Sequence, residues 1–331
     1  MCTAVNYKSY NHFFGRTLDI SYSYDERVFI TPRNYELKLC HRAEPLKNHY
    51  AIIGMAAYEE SFPLYYDGVN EKGLAMAGLN FPYNSTYVSQ NVESKLLKIA
   101  SFELIPYVLS LCDSTDRAEW LLKDIIITDD CFNKDFPPSP LHWIISDRKR
   151  SVTVEQTSEG LKVYNNPVGV LTNNPEFSYH MKNLINYTTV SPQNPEFTKI
   201  DTFRSAYSFG LGALSLPGDF SSISRFVRAC YVSQNTAPAE NERLSVNRFF
   251  DIMGTVSVPF GCVKNDKGDF HYTIYTSCCN LDKGIYYYNT HGDNRIRAVR
   301  MKPTIGKIIF SFCSTGLGAF ILMRRSFFVV I

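Results

Sequence analysis

Apolar residues in the first ninety positions fall in short runs broken by Gly, Pro, Asn and Asp, a pattern that predicts strands and turns rather than helices. Arg27–Thr31 is a β-prone run that stops at Pro32. Tyr50–Tyr58 is longer and does not alternate, as expected of a strand covered on both faces. Gly73–Phe81 is similar and stops at Pro82. The period then changes. Between Ser94 and Leu111, apolar residues Leu97, Ala100, Leu104, Val108 and Leu111 predict a helix that Pro106 should kink or split. Ser114 is a suitable cap for a second helix, with Asp116 and Glu119 in its first turns and Trp120, Leu121 and Ile125 on its apolar side. A second β block follows as Leu141–Ser146, Ser151–Gln156, Leu161–Tyr164 and Gly169–Thr172. Ser191–Pro195 reads as loop, and helices fit Ser222–Ser233 and Asn241–Met253. A last hairpin pairs Phe270–Ser277 with Gly284–Asn289 through the turn Asn280–Lys283.

Strands, two helices, strands, two helices, strands: this order predicts one α+β domain, in which two sheets stack with helices outside as a four-layer α-β-β-α sandwich. No repeat or low-complexity linker divides the chain. Its 331 residues are ample for a large core, and 45% hydrophobic against 20% charged residues argues against disorder. Lys and Arg number 34 against 32 Asp and Glu, so charge gives no reason to expect nucleic acid as a partner. The nine cysteines are irregularly spaced and include no CxxC pair, which argues against a thiolate zinc site, and a chain of this length argues against a disulfide framework. They are expected mostly as small buried residues of a reducing compartment. The start, Met1-Cys2-Thr3-Ala4-Val5-Asn6-Tyr7-Lys8, lacks the apolar run of a signal peptide, so a cytoplasmic protein whose fold begins at residue 2 is expected.

Position 2 carries the candidate chemistry. Cys2 has a plain reading, a small residue that permits removal of Met1, and a sharper one. Removal of Met1 leaves one residue bearing a thiol and a free α-amine. An α-amine with an ordinary pKa near ~8 is able to act as base for the thiol. Arg16 and Asp19, in Phe14-Gly15-Arg16-Thr17-Leu18-Asp19, would help if that segment pairs beside the N-terminus: Arg16 by favouring the thiolate, Asp19 by holding the amine. Taken alone, both read as surface charges. Asn80 and Asn173 alone read as strand-end turn residues, Arg225 and Arg228 as exposed helix charges, and His142 as a core or supporting histidine.

Longer blocks change those readings. MCTAV, FGRTLD, TPRNY, NEKGLAMAGLNFP, LHWIISD, VTVEQT, GVLTNNPEF, LPGDFSSISRFVR and YTSCCNLDKGIYYYNT, spread in this order over residues 1–300, resemble the N-terminal-nucleophile hydrolases of the choloylglycine hydrolase family. That family includes bile salt hydrolases and penicillin V acylases. The resemblance implies the same α-β-β-α fold, no cofactor, and Cys2 as nucleophile flanked by Arg16 and Asp19. It implies that Asn80 and Asn173 form the oxyanion hole and that Arg225 is an active-site arginine. Asn at position 80 favours conjugated bile salts over penicillin V, with N-acyl-homoserine lactones as a further alternative. The partner implied is a small amphipathic substrate, with Ile20–Tyr24 and Tyr58–Tyr66 as candidate aromatic walls. A non-catalytic binding or membrane-tethered protein is the reading from another class. The region Thr188–Ala213 resembles the family's assembly loop, which implies a homo-oligomer, in the family often a tetramer.

Two departures stand out. Thr17 occupies a position where Asn is usual, and as it points away from its charged neighbours its effect is expected to be modest. Residues 303–331 form an atypical apolar tail behind a hydrolase domain at 1–302, with sixteen uncharged residues from Ile308 to Met323 followed by Arg324 and Arg325. A spanning helix needs ~20 apolar residues. A frame-change product, a membrane-surface anchor and a packed terminal strand or helix are the alternatives.

Overall fold

Residues 1–195, 209–301 and 310–312 are described by the computed structural model. The strands are β1 Cys2–Lys8, β2 His12–Ile20, β3 Arg27–Thr31, β4 Ile52–Glu59, β5 Phe62–Asn70, β6 Ala75–Asn80, β7 Leu97–Ala100, β8 Ile125–Thr128, β9 Leu141–Ser146, β10 Ser151–Thr157, β11 Gly160–Asn165, β12 Val170–Leu171, β13 Val263–Lys264, β14 Phe270–Asn280, β15 Ile285–Thr290, β16 Asp293–Arg300 and β17 Phe310–Phe312. The α-helices are α1 Leu104–Leu111, α2 Thr115–Leu121, α3 Phe177–Asn183, α4 Ser222–Asn235 and α5 Glu242–Gly254. One sheet runs β12-β1-β2-β14-β15-β16, with β13 beside β14, and the other runs β11-β10-β9-β6-β5-β4-β3-β17.

The unalternating runs explain the layering. On β4, Ile53 and Met55 enter the core shared by the two sheets, while Ile52 and Ala56 enter a second core that also holds Leu104, Val108 and Leu121 of α1 and α2. On β6, Ala75 and Ala77 face the first core and Met76 the second. A strand buried on both faces has no polar side to show, hence the absence of alternation. On the far side, Phe226 of α4 and Phe249 and Ile252 of α5 cover the sheet that holds β1, β2 and β14. The expected α-β-β-α order is therefore observed.

Several expectations need correction. Ser94–Leu111 is not one helix: Leu97–Ala100 pairs in parallel with Ile125–Thr128, and the α-helix begins only at Leu104. Pro106 neither kinks nor splits it, because it lies in the first turn, where no intrahelical N–H is required. Trp120 is exposed rather than on the packed side of α2, and the Arg117 guanidinium lies 4.1 Å from its ring centroid. Helix α3 was not read from the sequence. The expected cap at Ser114 accepts the Arg117 N–H, and Ser221 and Asn241, not singled out as caps in the sequence, each accept a backbone N–H three residues on in the same way. Residues 196–208 of the candidate assembly loop, and all of the apolar tail but 310–312, lie outside the described residues. From the tail only β17 is described, pairing antiparallel with β3. Among the described residues no helix is long and apolar enough to cross a membrane.

Candidate active site

Strand pairing brings the candidate residues together. In the β1–β2 ladder Cys2 faces Leu18 and Ala4 faces Arg16, so Cys2 and Arg16 share the face turned toward the other sheet. In the β1–β12 ladder Ala4 faces Leu171. The same register, carried two residues further, sets Cys2 opposite Asn173. The Cys2 N–H donates to Asn173 Oδ1 at 2.8 Å. Met1 extends the other ladder instead, donating to Asp19 O at 2.5 Å and accepting from Asp19 N–H at 3.0 Å. Cys2 is buried.

Arg16 is wholly buried between the sheets. Its Nη1 donates to Gly78 O at 2.5 Å and Tyr66 O at 3.1 Å, and its Nε to Thr17 O at 3.2 Å. Nη2 is buried and has no partner among the described residues. Burial alone disfavours the cation, but attraction to Cys2, then Tyr275, Asp67 and Asp19, outweighs it and raises the Arg16 pKa. Asp67 accepts from Tyr275 Oη at 2.6 Å and Tyr286 Oη at 2.5 Å. Burial pushes the Asp67 carboxyl up, against the pull of Arg16 and these hydroxyls. Sequence reading missed Asp67, Tyr275 and Tyr286, since nothing in their spacing ties them to Arg16.

Asp19 faces the helix side. Its Oδ1 accepts from Thr273 Oγ1 at 2.6 Å and its Oδ2 from Thr17 Oγ1 at 3.0 Å. One expectation changes here: Thr17 is turned toward Asp19, two residues along the same face, not away from it. With Met1 in place, it is the Asp19 backbone that pairs with residue 1.

Arg225 and Arg228, which alone read as exposed, are both buried. Arg225 reaches from α4: Nη1 donates to Cys2 O at 2.5 Å and Thr3 Oγ1 at 2.6 Å, Nη2 to Asn173 Oδ1 at 2.8 Å, and Nε to Phe220 O at 2.9 Å. Burial lowers its pKa, opposed by Asp19 and Cys2. The Asn173 oxygen receives two obligate donors, which fixes the orientation of the amide. Its Nδ2 donates to Asn80 O at 2.8 Å, and its backbone N–H to Ser222 Oγ at 2.8 Å. Asn80 ends β6 and is exposed, and its side-chain amide has no hydrogen bond among the described residues.

His142 is buried, as expected of a supporting histidine. His180 was not singled out, yet its Nε2 donates to Asn173 O at 2.9 Å and its ring stacks on Phe226. Burial holds His180 down at about 4, so the ring is neutral at pH 7. Of the candidate aromatic walls, Tyr22, Tyr24 and Tyr58 are exposed, whereas Phe62 and Tyr65 are buried. Among the described residues no three His, Cys, Asp or Glu side chains are grouped to hold a metal ion.

Comparison with known proteins gives the family and the fold. The model of the linear amide C–N hydrolases of the choloylglycine hydrolase family matches residues 2–304. The chain is 45% identical over 304 residues to the bile salt hydrolase/transferase of Lactiplantibacillus plantarum, covering 91% of this chain and 92% of that one. It is 36% identical over 307 residues to the conjugated bile acid hydrolase of Lactobacillus acidophilus, covering 91% and 96%. A solved structure of a variant of the conjugated bile acid hydrolase from Clostridium perfringens superposes with a TM-score of 0.87 at 35% identity, covering 94% and 96%. The penicillin V acylase from Agrobacterium tumefaciens shares the fold, with a TM-score of 0.75 at 18% identity over 98% and 94% of the two chains.

Proposed function

Because the chain belongs to the choloylglycine hydrolase family of linear amide C–N hydrolases, we propose that it hydrolyses the amide bond of glycine- and taurine-conjugated bile salts, with Cys2 as nucleophile. The observation that carries this reading is the hold on residue 2: its N–H on Asn173 Oδ1, its carbonyl on Arg225 Nη1. The likeness to bile salt hydrolases supports the substrate class.

Removal of Met1 turns the Cys2 amide nitrogen into an α-amine at the place where Asn173 already accepts its hydrogen. The amine takes the thiol proton, and the buried Arg16 cation favours the thiolate. The sulfur attacks the amide carbon and the carbonyl oxygen becomes an oxyanion. Donors for it are the free side-chain amide of Asn80 and the second Nδ2 hydrogen of Asn173, the first being engaged by Asn80 O. The proton passes from the Cys2 ammonium to the leaving nitrogen, and glycine or taurine departs. Water, deprotonated by the same amine, cleaves the thioester and frees the bile acid. Arg225 holds the backbone of Cys2 and the amide of Asn173 in mutual register.

The test is ninhydrin detection of amino acid released from glycocholate and taurocholate by Met1-processed protein. Release is expected from both, and its absence sinks the reading. A cytoplasmic location and a homotetramer extend the same proposal by resemblance. Sedimentation at micromolar concentration checks the latter, and a monomer would count against it.

A further inference from the structure

His142 touches both arms of the site. Its ring lies on Phe81, with centroids 4.2 Å apart and planes 7° from parallel, and Phe81 follows Asn80. Its Nε2 donates to Thr172 O at 2.9 Å, and Thr172 precedes Asn173. Behind the ring, Nδ1 lies 3.1 Å from Glu155 Oε1, and both side chains are fully buried. The same carboxylate oxygen accepts the Phe177 N–H at 2.9 Å.

These contacts determine where a hydrogen must be. A carbonyl oxygen only accepts, so Nε2 carries a proton. In a neutral ring Nδ1 is then a bare lone pair. Facing an ionised carboxylate at this distance, it would set acceptor against acceptor in a dry site. A hydrogen on the line between Nδ1 and Oε1 removes the conflict, whether it is drawn on the ring or on the acid. The pair is then net neutral. Glu155 Oε2 is buried with no partner among the described residues, which also weighs against an uncompensated carboxylate. The neighbouring titratable groups are Lys162, a cation, and the neutral Tyr164 near Glu155, and the neutral His180 near His142.

We propose that one hydrogen lies between His142 Nδ1 and Glu155 Oε1 and that the two act as positioning residues, the ring bracing Asn80 through Phe81 and Asn173 through Thr172. The positioning role rests on the reading of Cys2, Asn80 and Asn173 as a hydrolytic site; the shared proton does not.

The experiment is histidine ring ¹⁵N NMR on the Met1-processed full chain at pH 7, with glycocholate kinetics beside it. Hydrogen is expected on both nitrogens of His142, or shared between Nδ1 and the acid. A wild-type Nδ1 with neither a bonded hydrogen nor the shift of a nitrogen accepting one from the acid overturns the shared proton. In Glu155→Gln, the amide oxygen needed by Phe177 has no hydrogen to share with Nδ1, and in His142→Phe the ring keeps its stacking but loses its donor. Both are expected to lower kcat about tenfold or more with KM within about threefold, and His142→Phe to move the Asn173 side-chain amide resonance. Folded variants with wild-type kcat and an unmoved Asn173 resonance defeat the positioning role. If the wild type releases no amino acid, the substrate proposal fails alone, because the ring and Asn173 resonances still judge the pair. Should either variant fail to fold, the wild-type ring spectrum still decides the proton.

Discussion

Arg16, carried by one sheet, donates to the carbonyl oxygen of Gly78 in the other at 2.5 Å. The cation is therefore clamped by backbone from both sheets before any substrate arrives, with Tyr66 O and Thr17 O as its other acceptors.

That clamp makes Arg16 irreplaceable by another cation. Arg16→Gln removes the charge, and Arg16→Lys keeps it but has no planar fork to meet three carbonyls. Both are expected to lower turnover by at least about tenfold, or about 1.4 kcal/mol of transition-state stabilisation. The rate of Cys2 alkylation by iodoacetamide against pH reads the effect directly, and a profile identical to wild type in the folded Gln variant would contradict the role given to Arg16.

Cys2→Ala is expected to abolish hydrolysis, and Cys2→Ser to retain little, because an amine near ~8 is poorly matched to a hydroxyl. Protein that keeps Met1 should be equally inert, since its residue 2 nitrogen is an amide. Intact-mass spectrometry alongside the ninhydrin assay separates the species. A folded Cys2→Ala protein with wild-type turnover would end the mechanism.

A stability prediction concerns Gly15. A Cβ added there would lie 1.9 Å from the carbonyl oxygen of Ser277 in β14, so the two strands cannot remain at their present spacing. Gly15→Ala is expected to cost about 3 kcal/mol or more, read as a lower urea midpoint. An unchanged midpoint would mean that the strands separate at little cost.

The His180 ring supplies a pH dependence. Burial holds it at about 4, against an ordinary value of 6.5. Between those values the unfolded chain binds a proton that the folded chain does not, so stability is intact above pH 6.5 and declines as pH falls toward 4. From pH 7 to pH 5 this group removes about 2 kcal/mol. In His180→Gln the loss of stability between the two pH values should shrink by that amount. Equal losses in variant and wild type would remove His180 from the account.

The layer order was legible because it rests on local signals: unalternating runs at Tyr50–Tyr58 and Gly73–Phe81, a cap at Ser114, helical stretches at Ser222–Ser233 and Asn241–Met253, and a hairpin turn at Asn280–Lys283. The stretch from Ser94 was misread because Leu97, Ala100 and Leu104 fit a helical spacing, while the parallel pairing of β7 with β8 that overrides it is nonlocal. Of the six candidate residues, Cys2, Arg16 and Asp19 had residue-level grounds, and Asn80, Asn173 and Arg225 came through resemblance. The structure places all six on adjoining segments, with Asn173 bonded to Cys2, Arg225 and the Asn80 backbone. Asp67, Tyr275, His180 and Glu155 escaped notice because each acts through a contact that folding alone creates.

On β4, Ile52 and Ile53 adjoin in sequence but enter different cores. Energetically they are therefore strangers: a cavity at one leaves the packing around the other nearly untouched, and their paired truncation should cost close to the sum of the single losses. Only the inward one shares its compartment with Cys2. Mutational drift at these buried positions thus divides by side, with Ile53 and Met55 able to disturb turnover and Ile52 and Ala56 answering to the helical layer.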